Sequence, residues 1–179
     1  MKTLIALYIA YIILCIATAA AVMFMIFYVT QQSFASVQPH VAPQIETTYV
    51  ESTALYNQMA ELINVKRAEN GQSFLTINQE LNQSAQLKAN DMIAKDYWSH
   101  DDLTGASTWH FFGEGGYSYK KAGENLAKCY NTAESAVNAW WNSPTHKANM
   151  LGQFNDVGFG TGTDKDGCLV IVNHFGSKA

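Results

Sequence analysis

The chain has 179 residues, which is enough for one ordinary domain and an appended segment. Its formal net charge is −4, from 11 Lys and Arg against 15 Asp and Glu. Nucleic-acid binding needs a concentrated basic surface, so this composition argues against a nucleic-acid partner.

The first segment, residues 1–30, is apolar. From Leu4 to Val29 it carries no charge and is rich in Ile, Leu, Ala, Met and Phe. A bilayer core needs about 20 such residues as a helix, which predicts a transmembrane signal anchor. Lys2 is the only charged residue before Glu46, and it favours a cytoplasmic N-terminus with the domain outside a single-pass cell membrane. The alternative is secretion after signal cleavage, although this run exceeds the about 7 to 15 residues of a signal-peptide core.

Residues 31–49 have two prolines and no apolar period, so they are interpreted as a flexible linker. The folded domain is predicted over residues 50–179. Its first helix has an apolar stripe and ends at Asn70-Gly71, a pair that tolerates the left-handed conformation of a C-cap. Asn78 is predicted to cap a second helix. The expected buried face of that helix consists of Leu81, Ala85, Ala89 and Met92.

A third helix follows a glycine-rich loop, in which residues 108–112 could form a short helix. Asn131 and Glu134 have the spacing of a capping box. The apolar positions then recur at helical spacing: Ala133, Ala136, Val137, Trp140 and Trp141. Pro144 is expected to end this helix, and residues 145–151 could add one more turn.

The C-terminal part of the chain, from residue 157 onward, is predicted to form β-strands. Residues 157–162 form a candidate strand whose glycines permit close approach of a neighbour. Asp166-Gly167 is a strong hairpin signal. Residues 168–172 are apolar on both faces, which predicts a central strand that is covered on both sides. Helices followed by strands indicate an α+β fold in which helices pack over an antiparallel sheet.

The sequence contains three cysteines, of which Cys15 lies in the apolar segment. Cys129 and Cys168 both fall in the domain. Outside the cytoplasm a disulfide between them is allowed, and two separate buried thiols are the alternative. Sequence alone does not decide between these, because it does not give the separation of the two Cα atoms.

Three residues are candidates for chemistry: His100, Glu124 and His146. Two histidines and one carboxylate with an open fourth position form a known catalytic zinc arrangement. The long spacing between these residues, however, matches no local metal motif such as His-Glu-x-x-His. Structural roles in loops and turns are the alternative for each. His174, in the last strand, is interpreted as a surface or edge residue.

Several motifs together resemble the CAP superfamily, also called the SCP-like or cysteine-rich secretory, antigen 5 and pathogenesis-related 1 proteins. The resemblance is to the bacterial YkwD-like branch and covers residues 55–175. Five segments carry it in this order: Leu62–Gly71, Asp96–His100, Gly123–Ala127, Trp141–Leu151 and Val157–Gly160.

The resemblance implies an α-β-α sandwich, with helices on both faces of a small antiparallel sheet. It also implies a cavity lined by His100, Glu124 and His146, which in some members holds a divalent metal such as zinc. Animal and plant members usually have a second glutamate in this cavity, whereas Asn142 and Ser143 stand at the corresponding helix end here. The disulfide framework of the animal members is missing, apart from the possible Cys129–Cys168 bridge.

Members of this superfamily are credited with lipid binding, protease-like activity and wall-associated roles, so the resemblance leaves three hypotheses. The first is a membrane-tethered extracytoplasmic binding module that takes a lipid, a peptide or a cell-wall glycan. The second is a hydrolase of cell-envelope or extracellular peptide or glycan, in which a metal or the His/Glu cluster activates water. The third is a purely structural or interaction domain. Whether the chain is an enzyme is left open.

Overall fold

The structure is a computed structural model that describes residues 22–27 and 43–179, with domain side chains from Ser52 onward. The chain divides into two compact units, Met1–Ile45 and Glu46–Ala179. Residues 22–27 are helical and exposed. The remainder of the predicted membrane segment, and the linker up to residue 42, lie outside the described residues. Within the described ranges, no helix has the length and apolar character needed to span a bilayer.

The first helix, α1, runs from Pro43 to Glu69. It therefore begins before Val50, and residues 43–49, which the sequence assigned to the linker, are helical. Proline is well tolerated in the first turn of a helix, so Pro43 is compatible with this start. This earlier start is not predictable from the sequence, because residues 43–49 lie before the apolar stripe that indicates the helix. Gly71 adopts a positive φ of 70° just after the helix, which confirms the predicted end.

Helix α2 (Gln79–Ala94) packs on one face of the sheet. The Asn78 side chain accepts hydrogen bonds from the backbone N–H groups of Glu80 and Leu81, which confirms the predicted cap. All four residues of the predicted apolar face are buried. The short helix α3 (Trp109–Glu114) lies beside α2 and buries Phe111 and Phe112.

The sheet formed by the described residues has four strands: β1 (Thr76–Ile77), β2 (Tyr119–Lys128), β3 (Asp156–Thr163) and β4 (Leu169–Lys178). Their order in the sheet is β1-β3-β4-β2. Strand β1 pairs with β3 in parallel, while β4 pairs with β2 and β3 antiparallel. The sheet is thus mixed, and the prediction of an antiparallel sheet is wrong. Two residues are too few to give a strand signal in the sequence, so β1 was missed.

The central strand β4 is covered on both faces, as predicted. Side chains of successive strand residues point to opposite faces. Ile171 and Phe175 pack with α1 and α4 (Ala133–Asn142) in one core. Val170 and Val172 pack with α2 in a second core on the other face. Helices therefore cover both faces, which is the α-β-α arrangement that the resemblance implied.

The glycines of β3 set how closely α2 approaches the sheet. A Cβ atom at Gly158 would lie 2.3 Å from the backbone carbon of Leu81, and one at Gly160 would lie 2.2 Å from that of Ala85. Any side chain at these positions would push α2 away from β3. The predicted close approach is confirmed, and it brings Ser84 of α2 against the sheet.

Two local features concern the segment after β2. The N-cap of α4 is Thr132, and its capping-box partner is Ser135, so the predicted cap is displaced by one residue from Asn131. Cys129 and Cys168 form a disulfide with a Cα–Cα separation of 4.6 Å. This bridge joins the end of β2 to the start of β4.

Helix α5 (Pro144–Met150) follows α4, with Pro144 in its first turn.

Candidate functional site

The carboxylate of Glu124 is the centre of a hydrogen-bonded cluster beneath α2 and α3. Glu124 lies on β2 and is 4% exposed. Its Oε1 atom lies 2.6 Å from Nδ1 of His100. Its Oε2 atom accepts hydrogen bonds from the Thr108 hydroxyl at 2.6 Å and from Nε2 of His174 at 2.9 Å. Both carboxylate oxygens are therefore occupied by donors.

These donors keep Glu124 ionised. Burial by itself raises the pKa of this carboxyl, but hydrogen bonds from His100 and His174 outweigh burial and lower the pKa to about 2. An ionised carboxylate only accepts hydrogen bonds, so each facing ring nitrogen must carry its proton. The charge state of Glu124 thus fixes the tautomers of the rings that contact it.

His174 is fully buried, and its interpretation as a surface or edge residue is wrong. The register of the sheet places it directly opposite Glu124. Its Nδ1 atom lies 2.8 Å from the Ser84 hydroxyl, and its ring stacks on Phe112 with 4.4 Å between centroids. Burial lowers the pKa of His174. The neutral ring therefore donates from Nε2 to Glu124 and accepts from Ser84 at Nδ1.

Ser84, His174 and Glu124 are the residue types of a hydrolytic triad, connected in a line. In such a triad the serine oxygen attacks the substrate, so it must face the substrate. Ser84 is 0% exposed, and its hydroxyl is engaged by the buried ring. This line of contacts therefore acts as a support beneath Glu124, and Ser84 is not a nucleophile.

His100 is the open member of the cluster, with a side chain that is 57% exposed. Its hydrogen bond to Glu124 raises its pKa, and partial burial opposes this effect. With Nδ1 bound to Glu124, Nε2 has no hydrogen-bond partner among the described residues. A histidine held by a buried carboxylate through one nitrogen presents the other nitrogen in a fixed orientation.

A buried lysine, Lys88 of α2, positions the loop that carries His100. Its ammonium donates to the backbone carbonyl of His100 at 3.0 Å and to the Tyr97 hydroxyl at 3.2 Å. Tyr97 in turn donates to Asp91 at 2.7 Å. Burial lowers the pKa of Lys88, and the charges of Glu124 and Asp91 oppose that effect. This role could not be predicted from the sequence, because a lysine on an amphipathic helix is usually exposed.

His146 lies on α5 and is partly buried. Burial lowers its pKa, and the nearby charge of His100 lowers it further. The ring of His146 has no hydrogen-bond partner in the described part of the chain. Asn125 donates to the His146 carbonyl at 3.1 Å, and Asn149 donates to the Glu124 carbonyl at 2.9 Å. These amides fasten α5 to β2 beside Glu124.

The three residues do not form the metal-ligand set that the sequence suggested. Among residues 22–27 and 43–179, no group of three or more His, Cys, Asp or Glu side chains is placed to hold a metal ion. His100, Thr108 and His174 donate hydrogen bonds to the two oxygens of Glu124 instead. The carboxylate orients His100 and does not stand beside it as a third ligand, so the arrangement does not fit a three-ligand zinc site.

The open groups of the cluster define its chemistry. His100 and His146 offer imidazole nitrogens for hydrogen bonding or proton transfer. Asn142 is exposed at the end of α4, where a second carboxylate would be expected, and it does not ionise. Among the described residues, the site therefore combines one carboxylate engaged at both oxygens, the buried imidazole of His174 and the two open imidazoles of His100 and His146.

Comparison with known proteins agrees with this fold. The family model for the cysteine-rich secretory protein family, CAP, matches residues 60–175. The chain is 38% identical over 133 residues to the uncharacterized protein YkwD of Bacillus subtilis (strain 168), covering 72% of this chain and 52% of that protein. It is 30% identical over 113 residues to the uncharacterized membrane protein YlbC of the same strain, covering 63% of this chain and 32% of that protein. The chain thus spans about half of one relative and about a third of the other.

Among solved structures, an extracellular protein containing a SCP domain from Bacillus anthracis str. Ames is similar. The TM-score is 0.63 at 27% identity, and the match covers 70% of this chain and 41% of that one. With the family model matching most of the domain, the chain belongs to the cysteine-rich secretory protein (CAP) family, in its bacterial YkwD-like branch.

Proposed function

We propose that the chain is a membrane-tethered, extracytoplasmic binding module that contacts its ligand through a cavity formed by His100, Glu124 and His146. The observation that carries this proposal is that three donors engage both oxygens of the buried Glu124 carboxylate. A carboxylate held in this way orients its neighbours, and the imidazoles of His100 and His146 remain to contact a ligand. Two such rings suit a polar group on a lipid, a peptide or a cell-wall glycan.

Three observations support the proposed location. The uncharged segment Leu4–Val29 follows Lys2. The relative YlbC is named a membrane protein, and the Bacillus anthracis relative is named extracellular. The Cys129–Cys168 disulfide suits an oxidising compartment. Secretion after cleavage of the apolar segment is the alternative location.

The proposal is tested by ligand capture with the full-length chain in a neutral detergent. The chain is incubated with cell-wall fragments and with lipid extracts, re-isolated, and its retained molecules are identified by mass spectrometry. Wild type and a His110→Ala control should retain the same ligand, whereas His100→Ala and His146→Ala should lose it. His110 is a suitable control because its ring bonds to the carbonyl of Ser107 and does not touch Glu124. Equal recovery from all four proteins, or from none, would contradict the proposal.

A second candidate function is hydrolysis of envelope peptide or glycan, in which His100 takes a proton from water. It is favoured by the 2.6 Å contact to Glu124, because this hydrogen bond raises the pKa of His100 and makes it a stronger base. The same incubations distinguish the two, since a hydrolase releases shortened fragments and a binder returns its ligand unaltered. Fragment release that persists in His100→Ala would exclude this residue as the base. If no ligand is retained and none is altered, a structural or interaction domain becomes the better account.

A further inference from the structure

A pocket lies where the end of α1 meets the start of β2 and the end of β4. Its volume is about 530 Å³, and no residue of the His100 cluster lines it. We infer that this pocket, here called the lysine pocket, binds a phosphate-bearing anion. The inference goes beyond the proposed function, because it concerns a different site with a different ligand chemistry. The charged residues that line the pocket are Arg67, Lys120, Lys121 and Lys178.

The charge of this pocket contrasts with that of the whole chain. The chain has a net charge of −4, yet every charged residue that lines the pocket is a cation. No Asp or Glu belongs to the lining formed by the described residues. A concave site lined by one sign of charge raises the local concentration of the opposite ion.

The strand register explains how two consecutive lysines come to line one pocket. Successive strand residues normally face opposite sides of a sheet. Strand β2 pairs Tyr119 with Lys178 and Lys121 with Ser177, so a register shift falls at Lys120. Such an irregularity re-aims side chains. It allows Lys120 and Lys121 to share the pocket with Lys178 of the neighbouring strand.

The lysines of the pocket are available to a ligand. Lys120 has neither an ion pair nor a hydrogen bond within the described ranges, and Lys121 donates to the neutral amide of Gln153 at 3.3 Å. Lys178 pairs with Glu80 at 2.8 Å, and both of these side chains are substantially exposed. An exposed pair of this kind contributes little to stability, so Lys178 can exchange this partner for an anion.

Arg67 adds a buried positive charge that no carboxylate of the described residues pairs with. It is 1% exposed, and its guanidinium donates to backbone carbonyls, including those of Met150 and Gly152 at 2.8 Å each. Its acceptors in the described structure are all neutral carbonyls, and burial lowers its pKa. These bonds tie the end of α1 to the loop after α5, which is a structural role. Because these carbonyls are neutral, the positive charge of Arg67 remains, and an anion in the adjoining pocket would compensate it.

The neutral lining favours phosphate among the possible anions. Side chains that can donate hydrogen bonds surround the cations: Gln72, Ser73, Gln153, Asn155 and Ser177. A tetrahedral anion with several oxygens can use such dispersed donors together with lysine ammonium groups. A phosphodiester polymer and a phospholipid headgroup share this chemistry, and the experiment separates them.

The experiment titrates the full-length chain, in a neutral detergent, by calorimetry. The probes are inorganic phosphate, the soluble diester bis(glycerol) phosphate and short-chain phosphatidylglycerol, with short-chain phosphatidylcholine as the neutral lipid. The test variant is Lys120→Ala/Lys121→Ala. The control is Lys95→Ala/Lys165→Ala, which removes the same charge from two exposed lysines outside the pocket. We expect the test variant to bind phosphate about tenfold more weakly than wild type, and the control to bind within about twofold of wild type, because charge-assisted hydrogen bonds are the strong ones.

The results distinguish a phosphodiester polymer from a phospholipid headgroup as the ligand of the lysine pocket. Tighter binding of bis(glycerol) phosphate than of phosphatidylglycerol supports a polymer, and the reverse order supports a lipid headgroup. Absence of binding by all three anionic probes, or equal weakening in the test and control variants, would overturn the inference. Phosphate binding should also persist in His100→Ala. Failure of this site is therefore distinguishable from failure of the proposed function, which is read out by ligand capture with the His100 and His146 variants.

Discussion

Replacing Glu124 by Gln tests whether the buried carboxylate holds the site together. The change preserves shape but removes the charge, and it turns one oxygen that accepts hydrogen bonds into an amide that donates them. His100, Thr108 and His174 all donate to this carboxylate, so at least one of them would then face another donor. Breaking a buried, hydrogen-bonded charge pair costs about 3 to 5 kcal/mol.

The lowered pKa of Glu124 leads to a similar value for the loss of stability. It is lowered from 4.5 to about 2, which corresponds to about 3 kcal/mol of native-state stabilisation of the ionised form. Because the folded pKa is depressed, this stabilisation is fully present above the unfolded pKa. It is lost as the pH falls through the folded value. The stability gap between wild type and Glu124→Gln should therefore be about 3 kcal/mol at pH 7 and clearly smaller at pH 3.

The assay is urea denaturation of the full-length chain, followed by tryptophan fluorescence. Trp140 is buried and reports on the core that α4 shares with the sheet. Glu61→Gln, at an exposed position on α1, is the matched control and should change stability by less than about 0.5 kcal/mol. A loss below about 1 kcal/mol in Glu124→Gln, or a stability gap that is the same at both pH values, would show that the charge of Glu124 does not stabilise the site.

Two further predictions concern the supports of the site. The charge of Lys88 lowers the pKa of His100. In Lys88→Met we therefore expect the pKa of His100, measured by NMR titration, to rise. A fall in this pKa would mean that the variant displaces the loop that carries His100, and that this displacement outweighs the loss of charge. Gly160→Ala places a Cβ atom 2.2 Å from the backbone of Ala85 and should destabilise the domain by about 1 to 3 kcal/mol in urea denaturation. Gly113→Ala, where a Cβ atom meets nothing within 4 Å, should be close to neutral, and an equal loss in both variants would contradict the packing argument.

The fold was predictable where the signal is local. The Asn78 cap, the apolar face of α2 and the glycine after α1 all rest on neighbouring residues, and the structure confirms each of them. The parallel pairing of β1 with β3 was not predictable, because it joins Thr76 to Asp156 through a two-residue strand. No periodicity can be read from so short a segment.

The site was predictable in part and for a different reason. The resemblance named His100 and Glu124, which the structure joins by a hydrogen bond. His174 was missed because its contact with Glu124 depends on the register between β2 and β4, which a single sequence does not specify. One signal was present: Val170, Val172 and His174 share a strand face, so the burial of the two valines could have been extended to the histidine.

The buried carboxylate of Glu124 holds His100, and the charge of His100 lowers the pKa of His146. The most direct measurement is an NMR titration of the full-length chain labelled with ¹⁵N at its histidines. We expect a pKa above the ordinary histidine value for His100 and a pKa below that value for His146. We also expect that Glu124→Gln lowers the pKa of His100, and that His100→Ala raises the pKa of His146. A His100 pKa that Glu124→Gln leaves unchanged, together with a His146 pKa that is indifferent to His100→Ala, would contradict both of these interactions.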